Sequence, residues 1–151
     1  MKAHGRSQAP RRELLSDLAD RLRRHSRKLT EPRRIILEIL RRHRHPLTNK
    51  EIFAALPKGK CDLATIYRSV HLLEGMGIVK RFDFGDGVAR FELLTAGDDG
   101  HHHHLVCLRC AQVVEIEDCF PPALERKIAA RNGFSSITHK LEFFGLCARC
   151  Q

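Results

Sequence analysis

The chain has 151 residues, a formal charge of +9 and 42% hydrophobic residues, which suits a soluble globular protein of one medium domain or two small ones, each with a real core. No apolar run approaches the ~20 residues that cross a bilayer, and the basic N-terminus lacks the apolar stretch of a secretory signal. A cytoplasmic protein with no membrane partner is therefore expected.

The charge is unevenly spread. Residues 1–60 hold 17 basic against 6 acidic residues, a charge of +11, and residues 61–151 hold 10 against 12, a charge of −2. A basic first part followed by a mildly acidic, ligand-rich second part points to nucleic acid at one end and metal at the other. A basic run is also often only a solvated face.

Residues 1–10 read as disordered. From Arg11 to His25, Leu14, Leu15, Leu18, Ala19 and Leu22 recur at the helix period. Thr30, as N-cap, and Pro32 in the first turn open a second helix to about Arg42, with Ile35, Ile36, Ile39 and Leu40 inward. Thr48 and Glu51 form a capping-box pattern for a short third helix, stopped by Pro57-Lys58-Gly59. A fourth helix is expected from Leu63 to Glu74, closed by Gly75 and Gly77. Residues 78–84 and 88–93 around Gly85-Asp86-Gly87 read as a β-hairpin. Helices followed directly by a hairpin outline a winged helix-turn-helix, whose last helix enters the major groove.

The polar stretch 94–100 is the expected hinge between a winged-helix domain over 11–93 and a second domain over 101–151. The second domain reads as a strand from His102 to Leu108, a CxxC turn and a strand from Gln112 to Glu117. A helix opened by Pro121-Pro122 and stopped by Gly133 follows, then a strand from Ser136 to Phe144. So small an α/β unit needs added support, which a zinc clamp and dimerisation would both supply.

Six cysteines without a signal sequence argue for metal or redox chemistry before disulfides. Cys107 with Cys110 and Cys147 with Cys150 form two CxxC pairs, a strong pattern for tetrahedral zinc because each short loop chelates through two thiolates. Oxidation to disulfides is the alternative. Cys61 and Cys119 are left over, and each reads most simply as a small buried apolar residue. Just before the first pair runs His101-His102-His103-His104. On a strand His102 and His104 share one face, while His101 and His103 share the other. Two metal sites could thus lie back to back. An incidental polar tract is the bland alternative, weakened by the adjacent CxxC.

Residues 63–68 (LATIYR), Phe91-Glu92, the HHHHLVCLRC run and the closing CARC follow one another in an order that resembles the ferric uptake regulator family of metal-dependent bacterial repressors. The likeness covers about Lys28 to Cys150. It implies an α+β protein in which a winged helix-turn-helix precedes a small α/β dimerisation domain with a four-cysteine zinc site. It implies DNA contacts by Lys28, Arg33, Thr65, Tyr67 and Arg68, whereas Tyr67 taken alone could be a partly buried helix aromatic. Structural Zn(II) falls on Cys107, Cys110, Cys147 and Cys150. A regulatory metal falls on His45, Glu92, His102, His104 and Glu115, and Fe(II), Mn(II) and Zn(II) all suit such ligands.

A possible third site falls on His101, His103 and His139. Its expected glutamate lands on Pro122, which leaves Glu117, Asp118 or Cys119 as substitutes. The implied function is repression by a homodimer on an inverted-repeat operator, responsive to Fe(II), since Glu92 stands where a zinc-type regulator often has sulfur. A zinc uptake regulator is the nearest alternative, and a peroxide sensor, which goes with Asp at the Glu92 position, fits less well. From other classes, a metalloenzyme lacks any HExxH or nucleophile–base pattern, and a metal-storage protein would show no sequence-specific DNA affinity.

Overall fold

The computed structural model describes residues 15–43, 45–94, 102–116 and 119–151. The chain divides into two units, Met1–Asp99 and Gly100–Gln151.

The first unit contains α1 (Leu15–Arg24), α2 (Glu31–Arg42), β1 (Leu47–Thr48), α3 (Asn49–Ala55), α4 (Leu63–Gly75), β2 (Val79–Phe82) and β3 (Arg90–Leu93). Its apolar stripes meet in one core of sixteen buried side chains drawn from all four helices and the sheet, among them Leu22, Leu37, Ile52, Ile66 and Leu73. Thr30 stands at the N-cap of α2, but its side chain makes no capping bond. The Thr48 capping box forms in full: its hydroxyl accepts from the Glu51 N–H at 3.1 Å, and the Glu51 carboxylate accepts from the Thr48 N–H at 2.7 Å. Helix α4 is capped by Asp62, whose carboxylate accepts from the Thr65 N–H at 2.7 Å. Those hydrogen bonds, led by the one to the Thr65 side chain, hold the Asp62 carboxyl below its usual range.

Strands β2 and β3 form the expected hairpin, and the short strand β1, which the sequence reading missed, joins it in the order β1-β3-β2. The hairpin strands are shorter than expected. The turn between them is pinned by Arg90, whose buried guanidinium donates to both oxygens of Asp86 at 3.0 and 2.7 Å and lies 5.4 Å from the Phe84 ring. Gly85 and Gly87 carry φ of +82° and +71°, a left-handed backbone that a side chain would strain. Arg21 of α1 donates to the carbonyls of Leu94 at 2.7 Å and Gly77 at 2.8 Å, fastening the first helix to the base of the wing.

The second unit contains β4 (His103–Cys107), β5 (Val113–Ile116), α5 (Pro122–Asn132) and β6 (Glu142–Gly145). Strand β4 is central, antiparallel to β5 and parallel to β6. Gly133 ends α5 in the left-handed conformation at φ +70°, as its lack of a Cβ allows. The last strand is shorter than the expected 136–144. Ser136 has φ +52°, and only residues 142–145 pair with β4. The residues between them form a connection that brings His139 to β4. Helix α5 buries none of its side chains. The expected disordered start (1–10), the first residues of helix one (11–14) and the hinge (94–100, except Leu94) lie outside the described residues. Among the described residues no helix is long and apolar enough to cross a membrane.

Candidate metal centres

The parallel pairing of β4 with β6 sets Cys107 beside Gly145, so the two CxxC turns follow neighbouring strand ends. The Leu108 N–H donates to the Gly145 carbonyl at 2.8 Å, and the Arg109 guanidinium donates to the Cys150 carbonyl, lacing one turn to the other. The four cysteines each place sulfur within 4.8 Å of the others, and Cys110 Sγ lies 3.7 Å from Cys147 Sγ. A zinc ion bonding sulfur at about 2.3 Å in a tetrahedron spaces its sulfurs at about 3.8 Å. The cluster fits that ion.

Its electrostatics also call for a cation. Backbone N–H groups of Cys110, Cys147 and Arg109 aim at Cys107 and hold its thiol down to about 6, whereas Cys150, crowded first by Cys147 and then by burial, is pushed up to about 12. Four sulfurs at this spacing cannot all ionise without a positive charge among them.

The histidine run divides between the faces of β4. His102 and His104 have ring centroids 5.0 Å apart on one side. His104 is 1% exposed and stands directly opposite Glu115 on β5, so imidazole and carboxylate share that face. Glu142, which the sequence reading did not single out, occupies the matching position on β6; the pleat of the last strand could have pointed to it. Glu92 is buried on β3 opposite Lys80, and His45 lies between α2 and β1 with its ring 5.6 Å from that of His43. Both belong to the first unit.

On the other face, His103 stacks on His139 at 5.0 Å between centroids. His103, Cys119 and His139 each offer one donor atom within 4.8 Å of the others. His101 lies outside the described residues, as do Glu117 and Asp118. One turn after Pro122 on α5, Glu125 Oε1 lies 2.7 Å from His139 Nδ1, the ring nitrogen away from that cluster.

In the first unit Tyr67 is 50% exposed on α4, which rules out a buried structural aromatic. Arg68, next to it, donates to Thr65 Oγ1 at 3.0 Å. Lys28 is exposed, and its carbonyl accepts from the Arg33 guanidinium at 2.7 Å. Thr65, Tyr67 and Arg68 thus lie on α4, the helix before the wing, while Lys28 and the half-buried Arg33 flank the start of α2.

A profile described as the ferric uptake regulator family matches residues 24–144. The chain belongs to the ferric uptake regulator family. Within it, the ferric uptake regulation protein of Bacillus subtilis is 37% identical over 128 residues, covering 83% of this chain and 86% of that protein. The Vibrio cholerae ferric uptake regulator has a structure similar to this one at a TM-score of 0.72 and 33% identity, over 87% of this chain and all of that one. A zinc-bound manganese uptake regulator gives a TM-score of 0.71 at 32% identity, over 86% of this chain and 98% of that one. The protein is accordingly a metal-responsive transcriptional regulator and carries the helical N-terminal and mixed α/β C-terminal domains of that family.

Proposed function

We propose that this protein is an iron-responsive repressor that binds an inverted-repeat operator as a homodimer and controls metal-uptake genes. The observation that carries the reading is the face of β4 bearing His102 and His104 with Glu115 opposite: imidazole and carboxylate, with no sulfur. Such ligands suit Fe(II), Mn(II) and Zn(II) alike, and it is the lack of a thiolate, which would favour zinc, that tilts the reading to iron. The names of the B. subtilis and V. cholerae relatives support iron.

In this reading Cys107, Cys110, Cys147 and Cys150 hold structural zinc, which ties the neighbouring ends of β4 and β6 together. His102, His104 and Glu115 hold the regulatory metal together with Glu92 and His45. Because those ligands come from both units, loading fixes the angle between the DNA-binding unit and the dimer, and hence the separation of the two α4 helices. Tyr67 offers an apolar ring to thymine methyls, Thr65 and Arg68 reach base edges or phosphate, and Lys28 and Arg33 hold the backbone. Dimerisation is supported by Leu105, Val114 and Phe143, which lie in register on three neighbouring strands at 42%, 45% and 44% exposure. A contiguous apolar row of this kind is what a second copy covers.

Selection from a random duplex pool with chelator-treated protein tests the reading, using anaerobic Fe(II) in one arm and buffered free Zn(II) in another. Enrichment of an inverted repeat with Fe(II), with zinc acting only far above physiological free levels, is the expected result. Enrichment at very low free zinc would make it a zinc regulator, and none in either arm would overturn the repressor reading.

A further inference from the structure

The second face of β4 carries a ligand set of different chemistry from the first. His139 Nδ1 lies 2.7 Å from the Glu125 carboxylate, an acceptor, so Nδ1 bears the imidazole proton. In the neutral ring Nε2 is then a bare lone pair, the state a metal requires and the arrangement in which a carboxylate commonly orients a histidine ligand. That Nε2 faces two further donors at once, His103 Nε2 at 3.2 Å and Cys119 Sγ at 3.3 Å.

Zinc bonds nitrogen at about 2.05 Å and sulfur at about 2.3 Å, so a tetrahedral site spaces two nitrogens by about 3.3 Å and nitrogen from sulfur by about 3.6 Å. Both spacings are met to within a few tenths of an ångström. His103 is 3% exposed and rigidly placed by its strand, while Cys119 stands at the solvent side.

We propose that His103, Cys119 and His139 form a thiolate-containing zinc site, with Cys119 as ligand and Glu125 as the residue that positions His139. The family resemblance implies imidazole and carboxylate ligands here. The sulfur is this chain's own departure, and it changes the metal the site selects. A thiolate with two imidazoles favours Zn(II) over Fe(II) and Mn(II). One strand thus presents a sulfur-free set on one face and a sulfur-bearing set on the other, so that iron and zinc are sorted across the thickness of a single sheet. The zinc assignment stands whether or not the repressor reading holds, since its test contains no DNA, and only the sorting of iron from zinc rests on that reading.

The test uses full-length protein that retains zinc on its four clustered cysteines, titrated with Co(II). The expected result is a near-ultraviolet sulfur-to-cobalt charge-transfer band saturating at one equivalent. The band should be lost in Cys119→Ser and kept in Cys61→Ser. A titration without that band, or one unchanged in Cys119→Ser, overturns the proposal and leaves a hydrogen-bonded cluster. Independently of any variant, Zn(II) should slow iodoacetamide labelling of Cys119, read by peptide mass, about tenfold or more while Cys61 labels at its original rate. Equal rates with and without zinc also overturn it. Glu125→Gln should weaken zinc at this site by about 10- to 100-fold while zinc on the four-cysteine cluster is unchanged. Unaltered affinity would remove Glu125 from the assignment.

Discussion

The two units solve the problem of stability in different ways. The first packs sixteen apolar side chains into one core and leaves only Phe53, Tyr67 and Val88 exposed among its described large apolar residues. The second buries little beyond Val106, Val113, Cys107 and Cys150, and it holds ten of the thirteen exposed large apolar side chains among the described residues. Burial stabilises by about 25 cal/mol per Å² of apolar surface, so the first unit carries its stability within itself. The second has far less of that term, and a zinc ion on its four clustered cysteines would add to it. In this protein the helical first unit is the self-sufficient scaffold, and the second, with its four clustered cysteines, is the one that metal would complete.

The sharpest way to break this contrast is to remove the zinc. Cys107→Ser, or strong chelation under reducing conditions, should abolish protection of the amides in residues 103–116 and 142–145. Those of 31–42 and 63–75 should keep theirs in hydrogen exchange. Simultaneous melting of both sets would show that the first unit is not independent. The converse experiment attacks the core of the first unit. Leu37 is fully buried, so Leu37→Ala should cost about 2–5 kcal/mol in denaturant unfolding of that unit and leave bound zinc unchanged.

A smaller effect is expected on the apolar row of the second unit. Leu105→Ala should weaken the dimer by about 1.5–3 kcal/mol, roughly 10-fold or more in dissociation constant, as read by sedimentation. An unaltered monomer–dimer equilibrium would remove that row from the interface. The smallest effect lies in the wing. The Arg90 guanidinium beside Asp86 holds its carboxyl below the ordinary value of about 4. The pair's contribution is therefore fully present above that value and is lost as pH falls through the lower folded value. Asp86→Asn should remove this acid dependence from the exchange of the wing amides; a dependence that survives the substitution must come from another group.

Much of this architecture could be read from local rules. The capping box at Thr48, the stop at Gly133, the hairpin around Gly85 and Gly87 and the two CxxC pairs are each written in a few adjacent residues, and each appears in the structure. The alternation of the histidines between two faces also followed from the strand period alone. What escaped depends on contacts between distant residues. Strand β1 exists only because Leu47 and Thr48 meet Phe91 and Arg90, and two residues carry no periodic pattern. Glu125 reaches His139 because a connection outside regular structure turns back toward β4, and the register of that connection is not local information. Glu142 escaped for the same reason, since its place beside His104 depends on a parallel pairing across α5.

That same parallel pairing sets the order in which the second unit can assemble. Strands β4 and β5 are joined by a short turn, so their hairpin, with Cys107 and Cys110, closes early and at little entropic cost. Strand β6 must return across the whole of α5 before Cys147 and Cys150 arrive, a long-range closure and the slower event. Between the two steps the unit holds half a metal site. Refolding in a slight deficit of zinc therefore lets one ion wait on the first pair and capture the second. A large excess gives each pair its own ion, and one must be expelled before the sheet can close.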